Sequence, residues 1–161
     1  MINQQHIIIK MALDAWDRDV TRADKLFDSL SDEQLQEEVA PGRNSGIYIL
    51  GHLIAVHDAL FPLLGVGEKL YPQLEDIFIK NPDKSGIEKP STKDLRSYWS
   101  EVNNKLSDHF NQFALDDWFQ KHSAVSAGDF EKEPHRNKLN VLLNRTNHLA
   151  YHLGQLVFLK K

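Results

Sequence analysis

The segment from Ser45 to Leu64 limits the possible folds most strongly. It reads SGIYILGHLIAVHDALFPLL, twenty residues with few polar side chains. It is longer than an ordinary strand, and its apolar residues do not alternate with polar ones. The segment is therefore predicted to be a helix that is buried on most of its sides, against which other helices must pack.

Three further stretches carry apolar residues at helical spacing, and no strand pattern competes with them. They cover residues 9–30, 95–113 and 137–160. Two capping boxes mark helix starts. Ser31 with Gln34 begins a short helix that runs to about Val39, and Ser91 with Asp94 begins the third long helix.

Residues 65–90 form a long connection that is rich in glycine and proline. A connection of this length in a compact domain is usually functional, or a crossover between helices that are not simple up-and-down neighbours. Short turns of helix are predicted within residues 70–79 and 115–119, and Phe130 is expected to anchor the polar loop that follows. The chain is accordingly predicted to be all-α, a single domain over residues 1–161 that forms a four-helix bundle with a long crossover connection and short extra helices.

The composition argues against several classes of function. The chain has no cysteine, which removes disulfides, thiolate metal sites, iron–sulfur clusters and cysteine nucleophiles. Its formal charge is −4, from 19 basic and 23 acidic residues, whereas nucleic-acid binding usually needs a basic face. We expect no membrane span, since no apolar stretch of 18 residues stands out, and no signal peptide, since a basic start and a cleavage site are missing. A cytoplasmic location is predicted.

Eight histidines are many for 161 residues, and two of them, His148 and His152, stand four apart in the last predicted helix. At 100° per residue they lie about 40° apart on one flank of the apolar stripe. Val141 and Leu159 share that face, which is therefore expected to look into the protein or a cleft. Residues four apart have Cβ atoms roughly 5–6 Å apart, so two imidazoles can reach one metal ion. Buried histidines with local partners have the same spacing, so the pair alone is a modest signal.

A metal site needs a third protein ligand, and the buried second helix offers two candidates, His52 and His57. His52 stands alone on an apolar stripe, and His57 lies among leucines on another face. Helical angle does not choose between them. A single core histidine is usually a packed residue, but a buried ring needs partners for both nitrogens, and a metal can satisfy one of them. The remaining histidines are expected to face solvent: His6, His109, His122 and His135.

At these residues the sequence resembles the DinB/YfiT-like superfamily. The resemblance is carried by GHL at residues 51–53 and by HLAYHLGQL at residues 148–156, which stand nearly a hundred residues apart. LSDEQL at residues 30–35 and LDDWF at residues 115–119 also fit. The resemblance covers most of the chain. Its HxxxHxGQ pattern is moderately specific alone and stronger together with the upstream GHL.

The resemblance implies a four-helix bundle and a divalent metal held by three histidines, one from the second helix and two from the last. On this chain those are His52, His148 and His152, so the resemblance selects His52 over His57. Zinc or nickel is the expected ion, and iron or manganese is a further candidate. Relatives are implied to be homodimers, and some to be enzymes that use a low-molecular-weight thiol as cosubstrate.

The predicted function is a metal-dependent enzyme, either a thiol transferase or a hydrolase, that acts on a small-molecule substrate and forms a homodimer. An open position on the ion would acidify a bound water or thiol. The alternative is a non-catalytic metal-binding module of the stress response that acts through dimer contacts. The sequence identifies no general base.

Several residues near the predicted site have two interpretations each. Gln155 either supports the histidines or, together with Gly154, serves helix packing. Tyr151 can reach the site but fits an interface or core position better. Arg145 can meet an anionic substrate but fits an exposed or salt-bridged position better. The pair Arg43–Asn44 either lines the mouth of the site or, more simply, serves the loop and cap.

Overall fold

The computed structural model describes residues 3–160, and that part of the chain is all-α, as predicted. Four long helices form the bundle: α1 (Gln4–Ser29), α3 (Gly46–Asp58), α5 (Thr92–Gln112) and α7 (Lys138–Leu156). The shorter helices are α2 (Asp32–Gln36), α4 (Leu60–Leu64) and α6 (Ala127–Lys132). One turn of π-helix spans Asp76–Lys80, and 3₁₀ turns span Leu115–Phe119 and Val157–Leu159.

The long helices do not follow a simple up-and-down order. His57 of α3 bonds to Asn103 of α5, and Phe61, one turn further along in α4, contacts His109. Because both contacts advance along α5 in the same direction, α3–α4 and α5 run parallel. Two parallel helices that follow each other in the chain need a connection that returns to the starting end of the bundle. Residues 65–91 provide that connection, so the predicted crossover is present.

The last helix, α7, runs antiparallel to α3. The ring of His52 faces that of His148, and Gly46, near the start of α3, lies against Leu159, just beyond the end of α7. The other side of α7 packs along α1. This arrangement turns the histidine-bearing flank of α7 toward α3.

The crossover enters the core and is not a peripheral loop. The buried carboxylate of Asp58 accepts hydrogen bonds from the backbone N–H groups of Leu70 (2.7 Å) and Tyr71 (2.9 Å), which satisfy it. The side chain of Phe78 is fully buried. These contacts fix the π-helical turn Asp76–Lys80 on α3, so the helical turn predicted within residues 70–79 lies at the end of that segment.

The predicted helix from Ser45 to Leu64 is interrupted at Ala59, which separates α3 from α4. Pro62 gives the reason, because it has no N–H to donate to the carbonyl of Asp58 and its ring crowds that carbonyl. The chain keeps its direction across the interruption, since the Ala59 N–H still bonds to the Ala55 carbonyl at 3.1 Å.

The stretch Gly46–Leu64 is long and apolar enough to cross a membrane, judged by length and composition. The expectation that the chain holds no such stretch is therefore wrong. It is the one stretch of this kind within residues 3–160, and 78% of it is buried inside the protein. A core helix buried by its neighbours has this character, as the sequence predicted for the segment.

The two predicted capping boxes differ in completeness. Ser31 and Gln34 form the full reciprocal pair at the start of α2. At the start of α5, Ser91 Oγ accepts from the Asp94 N–H (3.1 Å) and donates to the Asp94 carboxylate (2.7 Å), in place of the second backbone bond. Helix α2 ends at Gln36, earlier than predicted.

The loop between α5 and α7 holds a helix that was not predicted. Ser126 caps the start of helix α6, since its Oγ accepts from the Asp129 N–H at 3.1 Å, the same Ser-x-x-Asp spacing that marks α5. Phe130 does not anchor this loop, because it is only half-buried and lies outside the core cluster. Between the 3₁₀ turn Leu115–Phe119 and α7, Val125 is the buried apolar side chain.

Candidate metal centre

Three histidine side chains from two helices meet between α3 and α7. The Nε2 atom of His148 lies 3.2 Å from Nε2 of His52 and 3.1 Å from Nε2 of His152. One ligand atom from each ring falls within 4.8 Å of the others. The cluster contains both histidines of the α7 pair and, of the two candidates in α3, His52.

The crossover orients His52. Its Nδ1–H donates to the backbone carbonyl of Phe78 at 3.0 Å, and because a carbonyl can only accept, the proton resides on Nδ1 and the Nε2 lone pair faces the cluster. Gly51 permits this contact, since a Cβ at that position would overlap the Phe78 ring. Sequence reasoning missed Phe78, and the glycine of the GHL motif is the one signal of a close neighbour.

Gln155 orients His152. Its Oε1 accepts from His152 Nδ1–H at 2.8 Å, and its Nε2 donates to the hydroxyl of Tyr151 at 3.2 Å. The Nε2 lone pair of His152 therefore also faces the cluster. Of the two interpretations of Gln155, support of the histidines is the one that the contacts favour. Tyr151 is 63% exposed and is not a core residue.

His148 has a different environment from the other two rings. Its Nδ1 atom is buried and finds no hydrogen-bond partner among residues 3–160. Its Nε2 atom faces two lone pairs that neighbouring bonds hold in place. A cation between the three nitrogens would relieve this crowding.

The spacing of the three nitrogens suits a metal ion. Zinc binds imidazole nitrogen at about 2.0–2.1 Å, so two nitrogens of a tetrahedral site lie about 3.3–3.4 Å apart. The two separations from His148 Nε2, 3.1 and 3.2 Å, are close to that value. The residues present therefore fit a divalent cation held by three neutral imidazoles, and the geometry does not select its identity.

Electrostatics keep the three rings neutral. Burial lowers the pKa of His148 to about 4, with smaller contributions from the repulsion that a protonated His148 would meet from His152, His52 and Arg145. Burial also lowers the pKa of His52, against the opposing effect of its bond to Phe78. Burial lowers the pKa of His152 as well, against that of its bond to Gln155. Neutral imidazole is the form that binds metals, so the cluster is ready to coordinate near neutral pH.

His57 belongs to a different part of the core. It is fully buried, its ring lies 4.7 Å from that of Trp16, and its Nδ1–H donates to Asn103 Oδ1 at 2.8 Å. Burial lowers its pKa to about 3. It faces α1 and α5, whereas His52 faces α7.

Two of the four histidines expected in solvent are in fact partly buried. His6 and His135 are exposed, as predicted. His109 is half-buried against Phe61, and His122 is half-buried with a buried Nδ1. These two expectations were wrong because helical angle and loop position do not show which residues a neighbouring element covers.

The other residues singled out from the sequence surround the cluster. Arg145 is half-buried, and among residues 3–160 no carboxylate pairs with it, so the exposed or salt-bridged position is wrong. Gly154 is exposed, and a Cβ there would meet nothing within 4 Å, so it serves no packing need. Arg43 and Asn44 both line a cavity beside His152.

Two neighbouring cavities lead to the cluster, and together we call them the cleft. The smaller, about 140 Å³, is lined by His52, Phe78 and Tyr48, among others, and the larger, about 280 Å³, by residues including Arg43 and Gln155. The two share Asn44, Ile49 and His152. A cavity of about 440 Å³ between α1 and α5 is larger, but it holds none of the three histidines. Size therefore does not mark the site.

The sequence matches a known protein family. The family model described as the DinB superfamily matches residues 15–156, which include all three clustered histidines. No curated protein matches the chain.

Proposed function

Because the chain belongs to the DinB superfamily, we propose that it is a metal-dependent enzyme of thiol-transferase or hydrolase type. The metal is held by His52, His148 and His152. The observation that carries this proposal is that His148 Nε2 lies 3.1–3.2 Å from the Nε2 atoms of His52 and His152 at the edge of the cleft. Zinc and nickel are the first candidates for the ion, followed by iron and manganese.

When bound, a divalent cation with an open position would supply Lewis acidity that lowers the pKa of a thiol or water beside it. The residues around the cluster prepare the site for this chemistry. Phe78 and Gln155 hold two rings with their lone pairs inward. Ile49, which lines both cavities and is 1% exposed, gives the cleft an apolar wall that limits water.

The lining of the cleft favours thiol transfer over hydrolysis. Within the described part of the chain, neither cavity is lined by aspartate or glutamate, so no carboxylate is placed to act as a general base. A thiol, with an ordinary pKa of about 8.5, needs less help to lose its proton than water, with a pKa of about 15.7. In the transfer, the S–H bond breaks and the proton passes to solvent. A C–S bond then forms at an electrophilic carbon as its bond to a leaving group breaks.

Metal content and thiol-dependent turnover test the proposal. We expect purified protein to hold about one divalent ion per chain and His148→Ala to lose it, while His135→Ala, at an exposed histidine, keeps it. Equal metal in all three proteins would overturn the site. Zinc- or nickel-loaded protein is then assayed with a panel of thiols and electrophiles, and with ester and amide substrates. Metal binding without turnover of either kind would favour the non-catalytic module instead.

A further inference from the structure

The backbone at the mouth of the cleft is fixed by hydrogen bonds. The N–H of Gly42, which has φ +75°, donates to the Glu38 carboxylate at 2.7 Å. The N–H of Arg43 donates to the Ala40 carbonyl at 2.9 Å, and that of Val39 to the Asn44 carbonyl at 3.1 Å. Residues 39–44 therefore form a closed turn with few ways to move.

The side chains that this turn presents are not used by the fold. Arg43 and Asn44 are exposed and line the cleft, and their side chains have no hydrogen bond or ion pair within residues 3–160. Glu38, on the same turn, is held by Lys84 and by the Gly42 N–H, and so does not neutralise Arg43. A rigid turn that places unused donors over a cavity is the arrangement of a recognition element.

The charges around the cleft are positive even before an ion is considered. Arg43 lines it, and no carboxylate of the described chain does. The half-buried Arg145 lies on α7 three residues before His148, and its Nε finds no partner among residues 3–160. A divalent ion between three neutral rings would add to this charge. An anionic group on a ligand is the one component that would balance it.

We propose that the cleft binds the carboxylate of its substrate through Arg43, with the Asn44 amide as a second donor, while the reacting end of the same molecule lies against the three histidines. This inference rests on the proposed function and narrows its substrate to an anionic thiol. An arginine donates two parallel hydrogen bonds to a carboxylate, so Arg43 selects for charge and shape together. Arg43 acts as a positioning residue and does not touch the reacting atoms.

Matched ligands test the proposal through binding instead of turnover. Zinc-loaded protein is titrated calorimetrically with 3-mercaptopropionate, with its neutral amide 3-mercaptopropanamide, and with propionate, which lacks the thiol. We expect the anionic thiol to bind roughly three- to tenfold more tightly than the amide, the range of a partly exposed charged hydrogen bond. Arg43→Gln should abolish this preference, and Arg43→Lys should keep part of it.

Arg18→Gln serves as the control, because Arg18 is an exposed arginine of α1 away from the cleft. It should retain the full preference for the anionic thiol. The proposal is overturned if the charged and neutral thiols bind wild-type protein equally, if neither anion binds, if Arg43→Gln keeps the preference, or if Arg18→Gln loses as much.

The two proposals fail in different ways. If propionate binds as tightly as 3-mercaptopropionate and depends equally on Arg43, the carboxylate site stands and the thiol-binding function fails. If the anionic thiol and its neutral amide bind equally tightly, and both bind far more tightly than propionate, the thiol-binding function stands and the carboxylate site fails.

Discussion

The ring of His52 and the backbone of Phe78 are joined by a 3.0 Å hydrogen bond that ties a core helix to the crossover. The crossover thereby takes part in the site as well as in the topology. Orienting partners of this kind usually contribute 10- to 100-fold to metal affinity. The bond involves a backbone atom, so its contribution has to be tested through a neighbouring residue.

Gly51→Ala tests this link. The added methyl would overlap the Phe78 ring and displace the turn that carries the Phe78 carbonyl, so we expect a loss of about 1–3 kcal/mol in the free energy of unfolding, the usual cost of overpacking. Metal affinity should fall at the same time. Gly154→Ala is the matched control, since the helical Gly154 has open space around its Cβ position and should gain about 0.5–1 kcal/mol. Urea titration and metal titration of both variants measure the difference. Equal changes in stability and in metal affinity would show that the position of the Phe78 carbonyl does not depend on Gly51.

Metal binding is expected to raise the melting temperature. At a free metal concentration 100 times the dissociation constant, binding adds about 2.7 kcal/mol to the native state, which corresponds to roughly 5–10 °C for a chain of this length. His148→Ala should melt at the same temperature with and without chelator. Thermal melts of wild type, His148→Ala and His135→Ala measure the shift, and a chelator with no effect on wild type would contradict a bound ion.

Gln155→Ala should weaken metal binding without removing it. The substitution frees the Nδ1–H of His152, which then no longer holds a fixed ring orientation, and a loss of about 10- to 100-fold in affinity is expected. Tyr151→Phe removes only the hydroxyl that accepts from Gln155, so its effect should be several times smaller. Competition titration with a chelating dye compares the three proteins. The same affinity in all of them would mean that the His152 orientation is set by packing alone.

The metal-free protein should lose stability as the pH falls below about 6.5. Burial lowers the pKa of His57 to about 3, against an ordinary value of 6.5, so between these values the unfolded chain binds a proton that the folded chain does not. The free energy of unfolding therefore rises with pH across this window, by up to about 1.4 kcal/mol per pH unit for each such group. In His57→Gln, the difference in bound protons between the unfolded and the folded chain should be smaller by about one between pH 6 and 4. The free energy of unfolding should therefore depend less steeply on pH. Urea titrations at several pH values, with chelator present, measure the slope.

Much of the bundle could be predicted because its helices have strong periodicity and clear caps. The break at Ala59 was also open to prediction, since the sequence has a proline three residues later, at position 62. Helix α6 was missed although Ser126 and Asp129 repeat the spacing of Ser91 and Asp94. Helix α6 has no buried residue, so its sequence shows no apolar stripe from which a helix could be predicted.

The site was less accessible to sequence reasoning. Helical angle separates His52 from His57 but does not say that one faces α7 and the other faces α1 and α5; the family resemblance supplied that choice. The Phe78 carbonyl is a backbone group, and no residue type marks it. Arg145 was expected to be exposed or salt-bridged, as most arginines are, and the sequence does not show that its neighbours in the fold half-bury it.

The separation of His52 and His148 by 96 positions along the chain bears on the order in which the protein matures. During synthesis, His52 emerges long before its two companions, and nothing on α3 alone can hold an ion with three ligands. An ion can therefore bind to all three histidines only after α7 has docked against α3. A bound ion would mark a chain whose last long helix is in place. Once in place, the ion would tie α3 to α7, the last long helix of the bundle, so separating these two helices would require its release.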